Sequence, residues 1–102
     1  MQMTPAKRVE IVIEKPLEGR LTDALNKANV TGYTVVPVRG GSGRSGPWTR
    51  EGQVGPAGMV MVVCLIKPER LDGLLKTAFA VVERHIGVVS ISDTLVLRAE
   101  RF

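Results

Sequence analysis

An α+β sandwich is predicted by three features of this sequence. They are an alternating segment near the N-terminus, two amphipathic stretches that each begin at a proline, and apolar segments between and after them. From Arg8 to Glu14, Val9, Ile11 and Ile13 share one face, while Arg8, Glu10 and Glu14 share the other with Val12; this is the period of a strand. Pro16 suits a first helical turn, and Leu17, Leu21, Ala24, Leu25 and Ala28 recur at helical spacing. The spacing predicts a helix over 16–29, broken by Thr31-Gly32. Tyr33 to Val38 is β-rich, and Pro37 cannot donate to a ladder, which places this strand at an edge or near its own end. Met59 to Ile66 is apolar on both faces and reads as a strand covered twice. Pro68 opens a second helix whose buried stripe is Leu71, Leu74, Leu75, Ala78, Phe79 and Val82. Glu69 and Asp72 lie near its N-terminus, where the helix dipole favours acid. Residues 86–97 read as one or two strands, with Ser90 to Asp93 a candidate kink or turn. The order β-α-β-loop-β-α-β is the ferredoxin-like pattern, a four-stranded antiparallel sheet with both helices on one face. The other face is then free. Val12, Val60, Val62 and Cys64 are expected to make it apolar and to bury it against other subunits.

The chain of 102 residues, 44% apolar and 24% charged, fits a single globular domain over 1–102. A net charge of +4 favours anionic ligands in general. Aromatic content of 4% leaves Tyr33 as the one strand aromatic, too few for a base-stacking platform, so nucleic acid is not an expected partner. Cys64 is the single cysteine, which excludes an intrachain disulfide and a cysteine-rich metal cluster. The longest apolar run, Met59 to Ile66, falls well short of the roughly 20 residues of a spanning helix. A lone thiol in an apolar strand, with no charged leader and apolar stretch at the start, predicts a cytoplasmic protein.

Between the second and third strands lies a long loop, about 39–57. Arg39 to Gly58 holds seven of the eleven glycines, three arginines and the only tryptophan. A structureless connection of this length in a small domain is usually functional or disordered. Permissive backbone bearing guanidinium groups can wrap a small anion. The segment matches neither a P-loop nor a dinucleotide fingerprint, since no helix follows it. It reads either as an anion-gripping lid or as a plain hairpin connection, and Trp48 either meets a ligand or partner or plugs the domain's own surface. Arg98 and Arg101 could clamp a phosphate or form a solvated pair. His85 suits a helix C-terminus and has no partner for metal binding or base catalysis. Ser90, Ser92 and Asp93 define no triad, and no carboxylate pair stands out. Neither a catalytic set nor a metal set is predicted, and the chain reads as a non-enzyme without a cofactor.

The run Lys7-Arg8-Val9-Glu10-Ile11-Val12-Ile13, then a helix, then Asn29-Val30-Thr31-Gly32-Tyr33-Thr34-Val35 and Val38-Arg39-Gly40, resembles the opening half of PII signal-transduction proteins. Met59 to Ile66, Pro68-Glu69 and the final strand keep the same order, so the resemblance covers nearly the whole chain. Two departures indicate the branch. The loop lacks the tyrosine that standard members modify covalently. Arg84-His85-Ile86-Gly87-Val88-Val89 has one glycine and no lysine where they grip nucleotide phosphates. The chain is most similar to the carboxysome-associated PII-like group. The resemblance implies a homotrimer with an adenine nucleotide in each cleft between subunits, and the missing lysine argues for AMP or ADP over ATP. Thr34 would meet adenine or ribose. Gly40, Gly41 and Gly43 would form the loop base near phosphate, and Gly58 and Met59 would open the facing strand. Gly87, Val88 and Val89 would present backbone, and Arg98 and Arg101 would meet phosphate. It also implies bicarbonate as second ligand, enclosed by Arg39, Ser42, Arg44 and Ser45, and a membrane bicarbonate transporter as target. The alternatives are a sensor of another metabolite or a metal, and a slow nucleotide hydrolase with Glu51 activating water.

Overall fold

The computed structural model describes residues 1–30, 32–43, 58–98 and 100, and the backbone of 46–49. The strands are β1 (Thr4–Glu14), β2 (Tyr33–Val38), β3 (Gly40–Gly43), β4 (Gly46–Thr49), β5 (Met59–Ile66) and β6 (Gly87–Val96). The helices are α1 (Glu18–Lys27) and α2 (Leu71–Val82), each preceded by a three-residue 3₁₀ turn that holds its proline. Both fall inside the predicted spans, with Pro16 and Pro68 placed where a missing N–H is harmless.

The antiparallel order β2-β5-β1-β6 gives the ferredoxin-like sheet. Pro37 lies on β2, an edge strand, as its missing donor requires. The ambiguity over residues 86–97 resolves into one strand that runs through Ser90 to Asp93 against β1.

The core lies between the helices and one sheet face. Val9, Ile11 and Ile13 of β1 pair with Cys64, Val62 and Val60 of β5, and all are buried with Leu21, Leu25, Leu74 and Ala78. This overturns the expected facing of β5. Val60, Val62 and Cys64 point at the helices, while Met61, Val63 and Leu65 line the open face beside Val12. The alternation of β1 decides the matter, because directly opposed residues of an antiparallel pair share a face. Phe79 is also corrected: it is 60% exposed, and Val81 is buried in its place. Burial pushes the Cys64 thiol up to about 11 by desolvation, so at neutral pH it is a protonated apolar group rather than a nucleophile.

The joints have identifiable causes. Just past the end of α1, Asn29 takes a φ of 61°, tolerated by its short polar side chain, and the Val30 amide reaches back to the Leu25 carbonyl at 2.8 Å. The Arg70 guanidinium donates to the Ala28 carbonyl at 3.0 Å, tying the start of α2 to the end of α1. The Glu14 carboxylate accepts the Ile86 amide at 3.3 Å and anchors the turn into β6.

Candidate functional site

The open sheet face carries a depression of about 670 Å³, within the range of small-molecule sites. Its floor is apolar, with Val36, Met61 and Val63 from the two strands nearest the edge. Its lining includes Tyr33 and the polar side chains of Thr34, Arg8 and Arg98. Thr34 is placed there by register: it opposes Val63, so it shares the open face, while Tyr33 turns the other way and donates its hydroxyl to Asn26 of α1 at 3.3 Å. Arg98 follows β6 and is well exposed. Its Nε lies 3.8 Å from a Glu100 carboxylate oxygen, a separation at which a surface pair holds the guanidinium weakly. The chain therefore brings together Thr34 and Arg98, which sequence reading named. It adds Arg8, which sequence reading left among the polar residues of β1.

The loop base lies at the other end of the sheet. Val38 opposes Met59, and the Lys15 amide donates to the Gly58 carbonyl at 2.9 Å, so the returning chain is fastened where β1 ends. Gly58 is buried with φ of 75°, a conformation that costs a side-chain-bearing residue about 1–2 kcal/mol. Gly58→Ala should lower stability by about that amount, and Gly58→Asn by less; denaturant titration measures both.

Gly40, Gly41, Ser42 and Gly43 form β3, exposed and paired with β4 from Gly40 opposite Thr49 to Gly43 opposite Gly46. The expectation of a structureless loop is corrected here: its first part is a two-stranded ribbon. Arg39 is exposed between β2 and β3. Arg44, Ser45, Glu51 and Arg101 lie outside the described residues, as does the side chain of Trp48.

Gly87, Val88 and Val89 open β6 on the edge opposite β2. Gly87 pairs with Ile13, which pairs with Val60, which pairs with Pro37. With strands about 4.8 Å apart, three spacings leave roughly 14 Å between Gly87 and the loop base within one chain. A single copy does not unite the two. Gly87 has a packing reason of its own: a Cβ there would lie 3.2 Å from the Val12 carbonyl oxygen and 3.3 Å from the Ile13 Cγ2. Val88, 66% exposed, stands on the open face. Among the described residues no cluster of three or more His, Cys, Asp or Glu could hold a metal ion. No described helix is long and apolar enough to cross a membrane.

Residues 6–101 match the family model of nitrogen regulatory protein P-II. Among solved structures, CPII, a nitrogen regulatory PII-like protein from Thiomonas intermedia K12 bound to ADP, AMP and bicarbonate, aligns at a TM-score of 0.87 with 29% identity. That alignment covers 99% of this chain and 96% of the other. CPII bound to ADP and bicarbonate gives 0.84 with 32% identity, covering 99% and 97%. The apo form of CPII gives 0.72 with 29% identity, covering 93% and 95%. No curated protein matches the chain. The family model spans the sheet, both helices and the loop between β2 and β5, and the fold agrees with it: the chain belongs to the nitrogen regulatory protein P-II family and is a PII-like signalling protein.

Proposed function

We propose that this chain is a non-enzymatic sensor that binds AMP or ADP in preference to ATP in the clefts of a homotrimer and reads bicarbonate through its long loop. The observation that carries this reading is the meeting of Thr34 and Arg98 in one ligand-sized depression. The relatives support it, since CPII binds ADP, AMP and bicarbonate in its solved forms. The open face supports the trimer. Met61 and Val63 are only half-buried in a lone chain, and Leu65 is 37% and Val88 66% exposed; covering such surface is favourable. Subunits meeting by these faces would bring the Gly87–Val89 backbone of one copy toward the depression and loop base of another.

The preference for fewer phosphates follows from the segment Arg84 to Val89, which offers one glycine and no lysine to a phosphate tail. Arg39 and Ser42 stand at the loop base with the exposed β3 glycines, and with Arg44, Ser45 and Arg101 complete the anion-binding set of the proposal. Fixing one residue's backbone costs about 1–2 kcal/mol, so a single bicarbonate cannot order a loop of this length alone. The β3–β4 ribbon reduces the cost, and nucleotide contacts supply the rest, so the two ligands bind cooperatively. The ordered loop would then govern inorganic carbon uptake or carboxysome-linked metabolism in the cytoplasm, through a membrane bicarbonate transporter. Calorimetry with AMP, ADP and ATP, each with and without bicarbonate, tests the scheme. Bicarbonate should tighten ADP or AMP binding by about fivefold or more, the lower range of allosteric couplings. An unchanged affinity would refute the coupling, and ATP binding far tighter than ADP would refute the phosphate argument.

A further inference from the structure

Arg8 stands on the open face of β1, opposite Leu65 of β5 and Ser92 of β6, and lines the same depression as Thr34 and Arg98. Its ion-pair partner is Glu10, two residues on along the same strand face. The pair has one Nη2–Oε1 approach at 3.6 Å, with the two side chains 40% and 34% exposed. A single long contact between partly hydrated groups holds little. Yet the surroundings are Met61, Val63, Leu65 and Val96, a surface on which an unmatched guanidinium becomes costly once water is displaced. Glu10 offers an off-optimal, single-oxygen partner, whereas a phosphate offers guanidinium two parallel hydrogen bonds.

Resting on the nucleotide reading above, we propose that Arg8 is a specificity-determining residue that exchanges Glu10 for the anionic tail of the bound adenine nucleotide. Arg98 and Arg8 reach the depression from β6 and β1, so the two guanidiniums approach the tail from different strands. The nucleoside lies beside Thr34 at the strand edge. Arg8 then distinguishes ligands by tail charge, and Glu10 opposes binding by competing for it.

Titration of AMP and ADP into the full chain and its variants, at low and high salt, tests this. Arg8→Gln should weaken ADP about tenfold, as expected for one charge-assisted bond, and AMP less, so that the ADP-to-AMP affinity ratio falls and the salt dependence flattens. Glu10→Gln should tighten ADP severalfold, and Arg8→Lys should restore part of the loss. An equal loss for AMP and ADP in Arg8→Gln would mean that Arg8 only supports the fold, and overturns the proposal. Should Arg8→Gln fail to fold, Glu10→Gln decides: unchanged or weaker ADP binding overturns it. If the unaltered chain binds neither nucleotide, the nucleotide reading itself fails; if it binds ADP and Arg8→Gln binds equally well, only the role of Arg8 fails.

Discussion

Val63→Asp is expected to leave the chain folded but unable to assemble or to hold a nucleotide. Val63 sits mid-sheet on the open face, opposite Thr34 on β2 and Glu10 on β1. It belongs to none of the buried core positions, so the lone chain should lose only about 1–2 kcal/mol, the cost of a poor strand former set opposite Glu10. An uncompensated charge buried between subunits costs about 3–5 kcal/mol, and a threefold assembly would bury three of them. Light scattering should therefore report the mass of one chain. ADP affinity should fall by about a hundredfold or more, since the proposed cleft would need two copies and each 1.4 kcal/mol is about tenfold. A trimer with unaltered ADP binding would show that this face is not the contact surface.

Ile11→Ala should produce the largest loss of stability. Ile11 is fully buried at the centre of β1, paired with Val62 on one side and Val89 on the other, and belongs to the cluster that holds Leu21, Leu25 and Leu74. Removing its branched side chain forfeits transfer free energy and leaves a cavity that paired strands cannot collapse, at a cost of about 2–5 kcal/mol. Domains of this size are stable by about 5–15 kcal/mol, so the variant approaches the threshold of folding and its Tm should fall by at least about 10 °C. Thermal and denaturant unfolding at a fixed protein concentration measure this, because assembly contributes to apparent stability. A loss below about 1 kcal/mol would place the core elsewhere.

Those two positions also show how far the sequence can be read. Ile11 was legible because β1 alternates: Val9, Ile11 and Ile13 share one face, while Arg8, Glu10 and Glu14 hold the other with Val12, and the period names the buried face. Val63 was not, because Met59 to Ile66 is apolar throughout and no alternation marks which side faces the helices. Only the register against β1 settles it, and pairing across more than fifty residues is not written in either segment alone. Phe79 failed for a related reason. The apolar residues of α2 are too many for one stripe, so their spacing cannot say which lie at its margin. The β3–β4 ribbon is not legible in the sequence because Gly-Gly-Ser-Gly has almost no side chains whose alternation could announce a strand. Of the candidate site, Arg98 is legible from the residues as a possible phosphate clamp and Thr34 only through family likeness, whereas Arg8 requires the fold to bring β1 and the end of β6 to one surface.

The fastening of Gly58 to Lys15, with Val38 opposite Met59, closes the span between β2 and β5 into a cycle sealed at its neck. The work of closure is then nearly independent of what lies inside. Lengthening such a cycle twofold adds only about 0.6 kcal/mol of entropy, and none of its described residues belongs to the helix-facing core. Evolution can therefore rewrite the vocabulary of this segment, in length and in composition, while the grammar of the scaffold stays untouched. Sister proteins built on the same frame can diverge in what they recognise without renegotiating how they fold.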